Sequence, residues 1–148
     1  MATNNIGKMA DLVLTLRQKC LAKDRLMVKN FTVSYAEYNC VCLFFEYDVL
    51  SVKELADKLD ITSGGVTRII TSLEEKGYLI REIDAEDRRG INVSLTPKGK
   101  EIAKEIRQTS LDIHEEILGL VGKEKAEVVL EGVKNLVGAL EVWLKKHQ

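Results

Sequence analysis

From Ser51 to Gly99 the chain reads SVKELADKLDITSGGVTRIITSLEEKGYLIREIDAEDRRGINVSLTPKG, and this stretch decides the fold. Ser51 with Glu54 three residues later predicts a capping box, in which each side chain satisfies a backbone donor at the start of a helix. Apolar residues then recur at helical spacing, break at a short turn over residues 60–62, and recur again. The first half of the stretch therefore predicts a helix, a turn and a second helix.

The second of these helices is predicted to run from about Ser63 to Lys76, because Gly77 supplies the left-handed residue that ends a helix. Its outward face holds short polar side chains and one guanidinium, which suit base edges and phosphates in a major groove. Such a face is also typical of a plain surface helix, but the capped helix before it and the hairpin after it favour DNA recognition. The predicted contacts are Thr62, Ser63, Gly64, Thr67, Arg68 and Thr71.

After this helix the hydrophobic period changes to two, which predicts strands at 79–83 and 91–95. The loop between them has no apolar residue larger than alanine and should project into solvent. Arg88 and Arg89 lie at its tip, where an arginine can reach a narrow minor groove, and Asp87 is placed to fix the direction of an arginine. A soluble turn would explain the charge but not the adjacent arginines. The order of elements predicts a winged helix-turn-helix that binds double-stranded DNA.

The same residues resemble the MarR family of bacterial transcription regulators. The resemblance is dense over the winged helix and rests elsewhere only on helix length and character. It implies that the recognition helix enters the major groove, while the arginine of a D-x-R element, here Asp87 and Arg89, enters the minor groove. The residues that carry it are Leu73, Glu74, Gly77, Arg81, Asp84, Asp87, Arg88, Arg89, Leu95, Thr96 and Gly99.

The chain departs from this family at Gly64 and Gly65, in the first turn of the recognition helix. Each glycine costs roughly 1 kcal/mol of helix propensity relative to alanine and offers no side chain to a base. Either the bare backbone approaches a phosphate closely, or the helix reads fewer bases. We favour the second interpretation.

Composition, together with the motifs that the sequence lacks, narrows the classes of function that we expect. A chain of 148 residues, 45% hydrophobic and 30% charged, can bury one compact core with extensions. The absence of a membrane-length apolar run and of a secretory signal predicts a cytoplasmic protein without membrane contact. Nothing resembles a nucleophile elbow, a phosphate-binding loop or a dinucleotide fingerprint, so we expect no enzyme and no cofactor. The net charge of −1 predicts modest nonspecific DNA affinity with strong salt dependence.

Outside the winged helix the pattern is helical. Helices are predicted from about Asn5 to Asp24, from the capping residue Ser34 with Glu37, from Pro97 after the capping residue Thr96 to a break near 119–122, and from about Glu124 to Lys146. The second helix is expected to bury Tyr38, Val41, Cys42 and Phe45 on one face.

The last helix has an apolar stripe too wide for one small domain to cover, and the first helix has a similar one. We therefore predict a homodimer, which would present two recognition helices to a pseudo-palindromic operator; the alternative is a monomer in which these helices close on their own domain. The predicted fold is mainly α with a small antiparallel β-hairpin, divided into an N-terminal dimerisation helix (1–30), a winged domain (31–100) and C-terminal dimerisation helices (101–148). The stripes comprise Ile6, Met9, Leu12, Val13 and Leu16, and Ala126, Val129, Leu130, Val133, Leu136, Val137, Leu140, Trp143 and Leu144.

The sequence leaves undecided whether the protein responds to an oxidant or to a small-molecule effector. Part of the family responds to oxidants through a thiol, but Cys20, Cys40 and Cys42 form no C-x-x-C pair and are interpreted as buried, inert thiols. Cys20, between Lys19 and Lys23, is the best exception because nearby cations lower a thiol pKa.

The family resemblance also implies an effector pocket between the dimer layer and the winged domain. Its candidate lining residues are Tyr35, Tyr38, Phe45 and His114, although aromatic residues at this spacing are also typical of plain core. No histidine and cysteine cluster has metal-ligand spacing, so no metal site is predicted. The sequence thus predicts a homodimeric transcription regulator that responds to a ligand or to stress, and the family resemblance implies a repressor that a small-molecule effector could release. The alternatives are a thiol-based oxidant sensor and a winged helix that contacts only proteins.

Overall fold

A computed structural model describes residues 2–148 of the chain. The chain divides into two compact units, one reaching to Arg107 and the other from Gln108 to Gln148. This division falls within a continuous helix, Pro97–Val121, and it does not test the predicted domain boundaries after residues 30 and 100, which stay a prediction. The elements are α1 (Ala2–Val28), α2 (Tyr35–Leu43), β1 (Val49–Ser51), α3 (Val52–Leu59), α4 (Ser63–Glu75), β2 (Leu79–Ile83), β3 (Ile91–Leu95), α5 (Pro97–Val121) and α6 (Lys123–His147).

Both predicted capping boxes are present. The Ser34 backbone N–H donates to Glu37 Oε2 at 2.8 Å, and the Glu37 N–H donates to Ser34 Oγ at 3.2 Å. At the start of α3 the corresponding distances between Ser51 and Glu54 are 2.7 and 3.0 Å. These caps confirm where α2 and α3 begin, because each satisfies donors that the first helical turn cannot pair.

The ends of α4 also follow from local chemistry. Thr62 is the N-cap, since its hydroxyl accepts from the Gly65 N–H at 3.1 Å. At the other end Gly77 has φ +80°, and the Tyr78 N–H donates back to the Leu73 carbonyl at 2.9 Å. This is the left-handed stop that the sequence predicts.

The sheet has three strands in the order β1-β3-β2, all antiparallel. The predicted hairpin of β2 and β3 is confirmed, with Arg81 opposite Val93. The short strand β1 was not predicted, and it adds to the hairpin by pairing Leu50 with Val93. The fold is therefore mainly helical with a small antiparallel sheet, as expected, but the sheet has one strand more than a hairpin.

The core lies among α2, α3, α4 and the sheet, where Val41, Leu55, Ile70 and Leu73 are fully buried. Two predictions about the N-terminal helices are corrected. Helix α1 extends beyond the predicted Asn5–Asp24 at both ends. Helix α2 buries Val41, as predicted, but it does so together with Glu37 and Cys40. Tyr38 and Cys42 are only partly buried, and Phe45 lies beyond the last residue of the helix, Leu43, and is 36% exposed.

Helix α5 starts in close contact with the chain that follows α4. Thr96 accepts a hydrogen bond from the Gly99 N–H at 3.0 Å, and its own N–H donates to the Tyr78 carbonyl at 3.0 Å. A Cβ on Gly99 would lie 2.0 Å from that carbonyl oxygen, so only glycine allows this approach. Helix α5 runs to Val121, and Gly122, with φ +93°, separates it from α6 near the predicted break.

Within the described chain, α6 has no buried residue. Its predicted apolar stripe is open, with Leu130 52%, Val133 47% and Trp143 57% exposed. The apolar positions Ile6, Met9 and Leu12 of α1 are likewise exposed. Among residues 2–148, no helix combines the length and the apolar character needed to cross a bilayer.

Candidate nucleic-acid interface

The first half of α4 and its cap form a polar, exposed surface. Thr62, Ser63, Gly64, Thr67 and Arg68 are all exposed, as the sequence predicts. The Thr67 hydroxyl donates to the Ser63 carbonyl at 2.9 Å, which holds that side chain along the helix. This surface offers hydroxyls and one guanidinium to a groove of DNA.

Thr71, the last predicted contact on α4, lies in a different setting. It is partly buried, and its hydroxyl accepts from Arg81 Nη2 at 3.3 Å. The Arg81 Nε also forms an ion pair with Glu74 Oε1. Arg81 on β2 therefore ties the wing to α4, and this role was not recognised from the sequence even though Arg81 belongs to the family pattern.

The wing loop is shaped by hydrogen bonds to its own backbone. Asp84 Oδ1 accepts from the Glu86 N–H at 2.9 Å, and the Asp84 N–H donates to the Gly90 carbonyl at 2.9 Å. The N–H groups of Glu86 and Asp87 hold the pKa of the Asp84 carboxyl below its usual range, because they stabilise the charged form. Asp87 Oδ1 accepts from the main-chain N–H of Arg89 at 3.0 Å.

The Asp87 carboxylate therefore contacts Arg89, the residue that it is expected to orient, but it bonds the main-chain N–H rather than the guanidinium. The Arg88 and Arg89 side chains are exposed at the tip. Within residues 2–148, no acidic side chain lies at ion-pair distance from either guanidinium. The loop thus presents two positive groups that are available for phosphate or for a minor groove.

The candidate effector residues are placed in separate surroundings. On α2 the rings of Tyr35 and Tyr38 stack with centroids 6.1 Å apart. The Arg107 guanidinium lies 5.7 Å from the centroid of the exposed Phe45 ring. His114 belongs to the C-terminal unit, where its Nδ1 lies 2.6 Å from the Ser110 carbonyl oxygen. Their joint role as a pocket stays a prediction.

Two cavities within the N-terminal unit involve other residues. One, of about 310 Å³, is lined by residues that include Phe31, Tyr78, Lys98 and Glu101. The other, of about 350 Å³, is lined by Phe44, Tyr47, Asp48, Leu95, Lys100 and Ala103. None of the four predicted effector residues lines either of these two cavities, and neither Tyr78 nor Lys98 was a predicted binding residue.

The cysteines differ in burial. Burial raises the pKa of the Cys40 thiol to about 12 and that of Cys42 to about 11, which suppresses the reactive thiolate. Cys20 is exposed, so the expectation of a buried thiol is wrong at that position. In the described part of the chain, no group of three His, Cys, Asp or Glu side chains is arranged to hold a metal ion.

Comparison with known proteins agrees with the resemblance drawn from the motif. A sequence model of the MarR family matches residues 33–91, from the residue before the α2 cap to the first residue of β3. The chain is 26% identical over 110 residues to the HTH-type transcriptional regulator SarZ of Staphylococcus epidermidis, covering 74% of this chain and 73% of that relative.

Solved structures share the fold. A MarR family protein from Bacillus stearothermophilus aligns with a TM-score of 0.86 at 17% identity, covering 95% of this chain and 99% of that one. FabT of Streptococcus pneumoniae, solved in complex with DNA, aligns with a TM-score of 0.76 at 22% identity, covering 92% and 97%. At these identities the similarity establishes the fold, and the winged arrangement described above is common to them.

Proposed function

Because this chain carries a MarR-family winged helix-turn-helix domain, we propose that it is a transcription regulator that represses its target genes by binding operator DNA as a homodimer. In this proposal α4 lies in a major groove, and the wing reaches the adjacent minor groove. The chain acts in the cytoplasm and catalyses no reaction. Its DNA contacts are Thr62, Ser63, Gly64, Thr67, Arg68, Thr71, Asp87, Arg88 and Arg89.

The observation that carries the proposal is the wing tip. Two adjacent guanidinium groups stand exposed on a loop whose backbone is held by hydrogen bonds to the Asp84 and Asp87 carboxylates and between main-chain groups. A backbone already held in one shape has less conformational freedom to lose when the loop enters a groove. The net charge of the chain is −1, so binding depends on where these cations lie rather than on their number.

The homodimer is supported by the apolar faces of α1 and α6. Each helix presents a face of exposed apolar residues, and such a face marks an interaction surface. A two-fold dimer places two recognition helices about one helical turn of DNA apart, which matches a pseudo-palindromic operator.

Release by a small-molecule effector completes the proposal. The residues assigned to it are Tyr35, Tyr38, Phe45 and His114, as the family resemblance implies. The aromatic pair on α2 supports this role, since stacked rings offer a face to a planar ligand.

The decisive test is the loss of one wing guanidinium. We expect Arg89→Ala to weaken binding to the DNA upstream of the chain's own gene by about tenfold, roughly 1.4 kcal/mol. Binding should be titrated at two salt concentrations, because log K falls by about 0.9 per phosphate contacted for each tenfold rise in salt. Arg89→Lys should bind with intermediate affinity, because it keeps the charge and loses the fork of donors.

Lys146→Ala is the matched control, since it removes one exposed positive charge from the last turn of α6. It should leave affinity within twofold of the wild-type chain. Equal affinity of Arg89→Ala and the wild-type chain would remove the minor-groove role. DNA binding that survives loss of both Arg88 and Arg89 would favour a wing used for protein contacts.

A further inference from the structure

The C-terminal half of α4 is tied to α2 by a buried carboxylate. Glu37 is only 4% exposed, which is rare for a glutamate unless it is paired. Its Oε2 lies 2.6 Å from Lys76 Nζ, and its Oε1 accepts a hydrogen bond from Ser72 Oγ. The same Oε2 accepts the Ser34 N–H at the start of α2. One side chain therefore caps α2 and holds both Ser72 of α4 and Lys76, the residue that caps the end of α4.

These bonds are directional, whereas the rest of the contact is not. Val41 and Cys40 on α2, and Ile70 and Leu73 on α4, are fully buried apolar residues. The hydrophobic effect that favours these apolar contacts has no preferred direction, whereas a charged hydrogen bond favours a narrow range of distance and angle. A buried ion pair contributes little net stability compared with an apolar pair, and fixing one arrangement is the role it can serve.

The length of α4 turns a small tilt at its C-terminal half into a larger displacement at its DNA-facing start. Ser72 is held by Glu37, and Ser63 at the start of the DNA-facing half lies roughly 14 Å away along the axis, at about 1.5 Å per residue. A tilt of about 5° at the held end would move Ser63 by roughly 1 Å, which exceeds the window of about 0.5 Å in which hydrogen bonds form. The groups that read bases therefore depend on how firmly the far end is held.

We propose that Glu37 is a positioning residue for DNA recognition, which sets the angle at which α4 is presented through its bonds to Ser72 and Lys76. This inference rests on the proposed function, since it assigns a residue to the specificity of the same interface. Glu37 does not itself contact DNA. Its loss should reduce discrimination between DNA sequences, because base contacts need accurate placement, and should change phosphate binding less.

The test compares two matched capping boxes in the full-length chain. Glu37→Gln and Glu54→Gln each remove a carboxylate from the same local motif. Glu54 is exposed and, among the described residues, forms no ion pair. The first probe is the duplex that the wild-type chain selects from a random pool, and the second is a shuffled duplex of equal composition. Thermal melts of each variant set a temperature at which it is folded.

We expect Glu37→Gln to weaken binding to the selected duplex by about tenfold while binding to the shuffled duplex changes by less than twofold. The salt dependence should not change, because the phosphate contacts remain. Glu54→Gln should bind both duplexes as the wild-type chain does. Unchanged discrimination in Glu37→Gln, or an equal loss in Glu54→Gln, would overturn the proposal.

Lys76 provides a second route if Glu37→Gln does not fold. Its side chain is 36% exposed, so substitution there disturbs less of the core. Lys76→Met should lose discrimination and Lys76→Arg should keep it, since arginine preserves a charged donor for Glu37. Equal behaviour of the two variants would contradict the positioning role. A wild-type chain that selects no duplex from the pool would overturn the proposed function, and this inference with it.

Discussion

At the scale of single residues, two glycines of this chain differ in whether the fold has room for a side chain in their place. Gly99 lies where a Cβ would meet the Tyr78 carbonyl oxygen at 2.0 Å, within a contact that joins α5 to the end of α4. Gly64 lies in the first turn of α4, where the nearest atom to a Cβ is Thr62 Oγ1 at 4.0 Å. The fold needs the first glycine and does not need the second.

The same substitution should therefore have opposite effects at these sites. We expect Gly64→Ala to stabilise the chain by about 0.4–1 kcal/mol, because alanine loses less backbone entropy in a helix. Gly99→Ala should destabilise it by about 1–3 kcal/mol, because the backbone must move to relieve the overlap. Urea unfolding followed by circular dichroism measures both.

DNA binding by Gly64→Ala separates the two interpretations of this glycine. We expect affinity within twofold of the wild-type chain, as for a helix that reads few bases through its first turn. A tenfold loss would instead indicate close approach of the bare backbone to a phosphate.

Glu37 also predicts how stability depends on pH. Burial opposes its charge, but hydrogen bonds from Lys76, Ser72 and the Ser34 N–H outweigh burial and lower the pKa of its carboxyl. A lowered pKa in the folded state adds stability above the unfolded value of about 4.3, and that stability is lost as pH falls below it. The difference in unfolding free energy between the wild-type chain and Glu37→Gln should thus be constant near neutral pH and shrink as the pH falls below about 4.3. A difference that does not vary with pH would contradict this account.

At the scale of helices and strands, the chain shows which features local sequence determines. The caps at Ser34, Ser51 and Thr62 and the stop at Gly77 were predictable, because each depends on partners within a few residues. The second role of Glu37 was not, since Ser72 and Lys76 lie 35 and 39 positions away. The sequence identified the capping box but could not show that its carboxylate also reaches another helix.

The sequence analysis did not predict strand β1, and the reason is related. It has three residues, too few to show an alternating pattern, and it exists because Leu50 pairs with Val93. The buried face of α2 was misjudged because the helix has nine residues, and Phe45 falls after its last turn. Short elements take their structure from distant partners, so their sequence alone carries a weak signal.

Arg81 links the wing to α4 through side-chain bonds. Its guanidinium bonds Thr71 and Glu74 of α4 from its place on β2. Polar positions on α4 and on the wing correctly predicted that most of the candidate DNA contacts are exposed, and the partly buried Thr71 is the exception. Their contact with DNA stays a prediction. The connection that sets the spacing between α4 and the wing became visible only in three dimensions.

At the scale of the whole molecule, the exposed apolar stripe of α6 predicts self-association. Val133 lies on the stripe and Val142 lies on the opposite side of the same helix, 47% and 55% exposed within the chain. We expect Val133→Glu to convert dimers to monomers, because it would bury a charge in the interface. Val142→Glu should remain dimeric, and sedimentation velocity at micromolar concentration distinguishes the two.

A wild-type chain that sediments only as a monomer would contradict the dimer. If both variants dissociate equally, the interface does not follow the stripe. A monomeric wild-type chain would also remove the reason for expecting a pseudo-palindromic operator.

The backbone bonding of the wing loop has a consequence for how such a regulator can evolve. The carboxylates of Asp84 and Asp87 accept from main-chain N–H groups of the loop, and the Gly90 carbonyl accepts from the Asp84 N–H. Among the described residues, the side chains of Arg88 and Arg89 take no part in that bonding. Substitutions at these two positions should therefore be nearly neutral for folding while they alter DNA preference. A lineage can change its set of target promoters at the wing tip without first acquiring compensating mutations elsewhere.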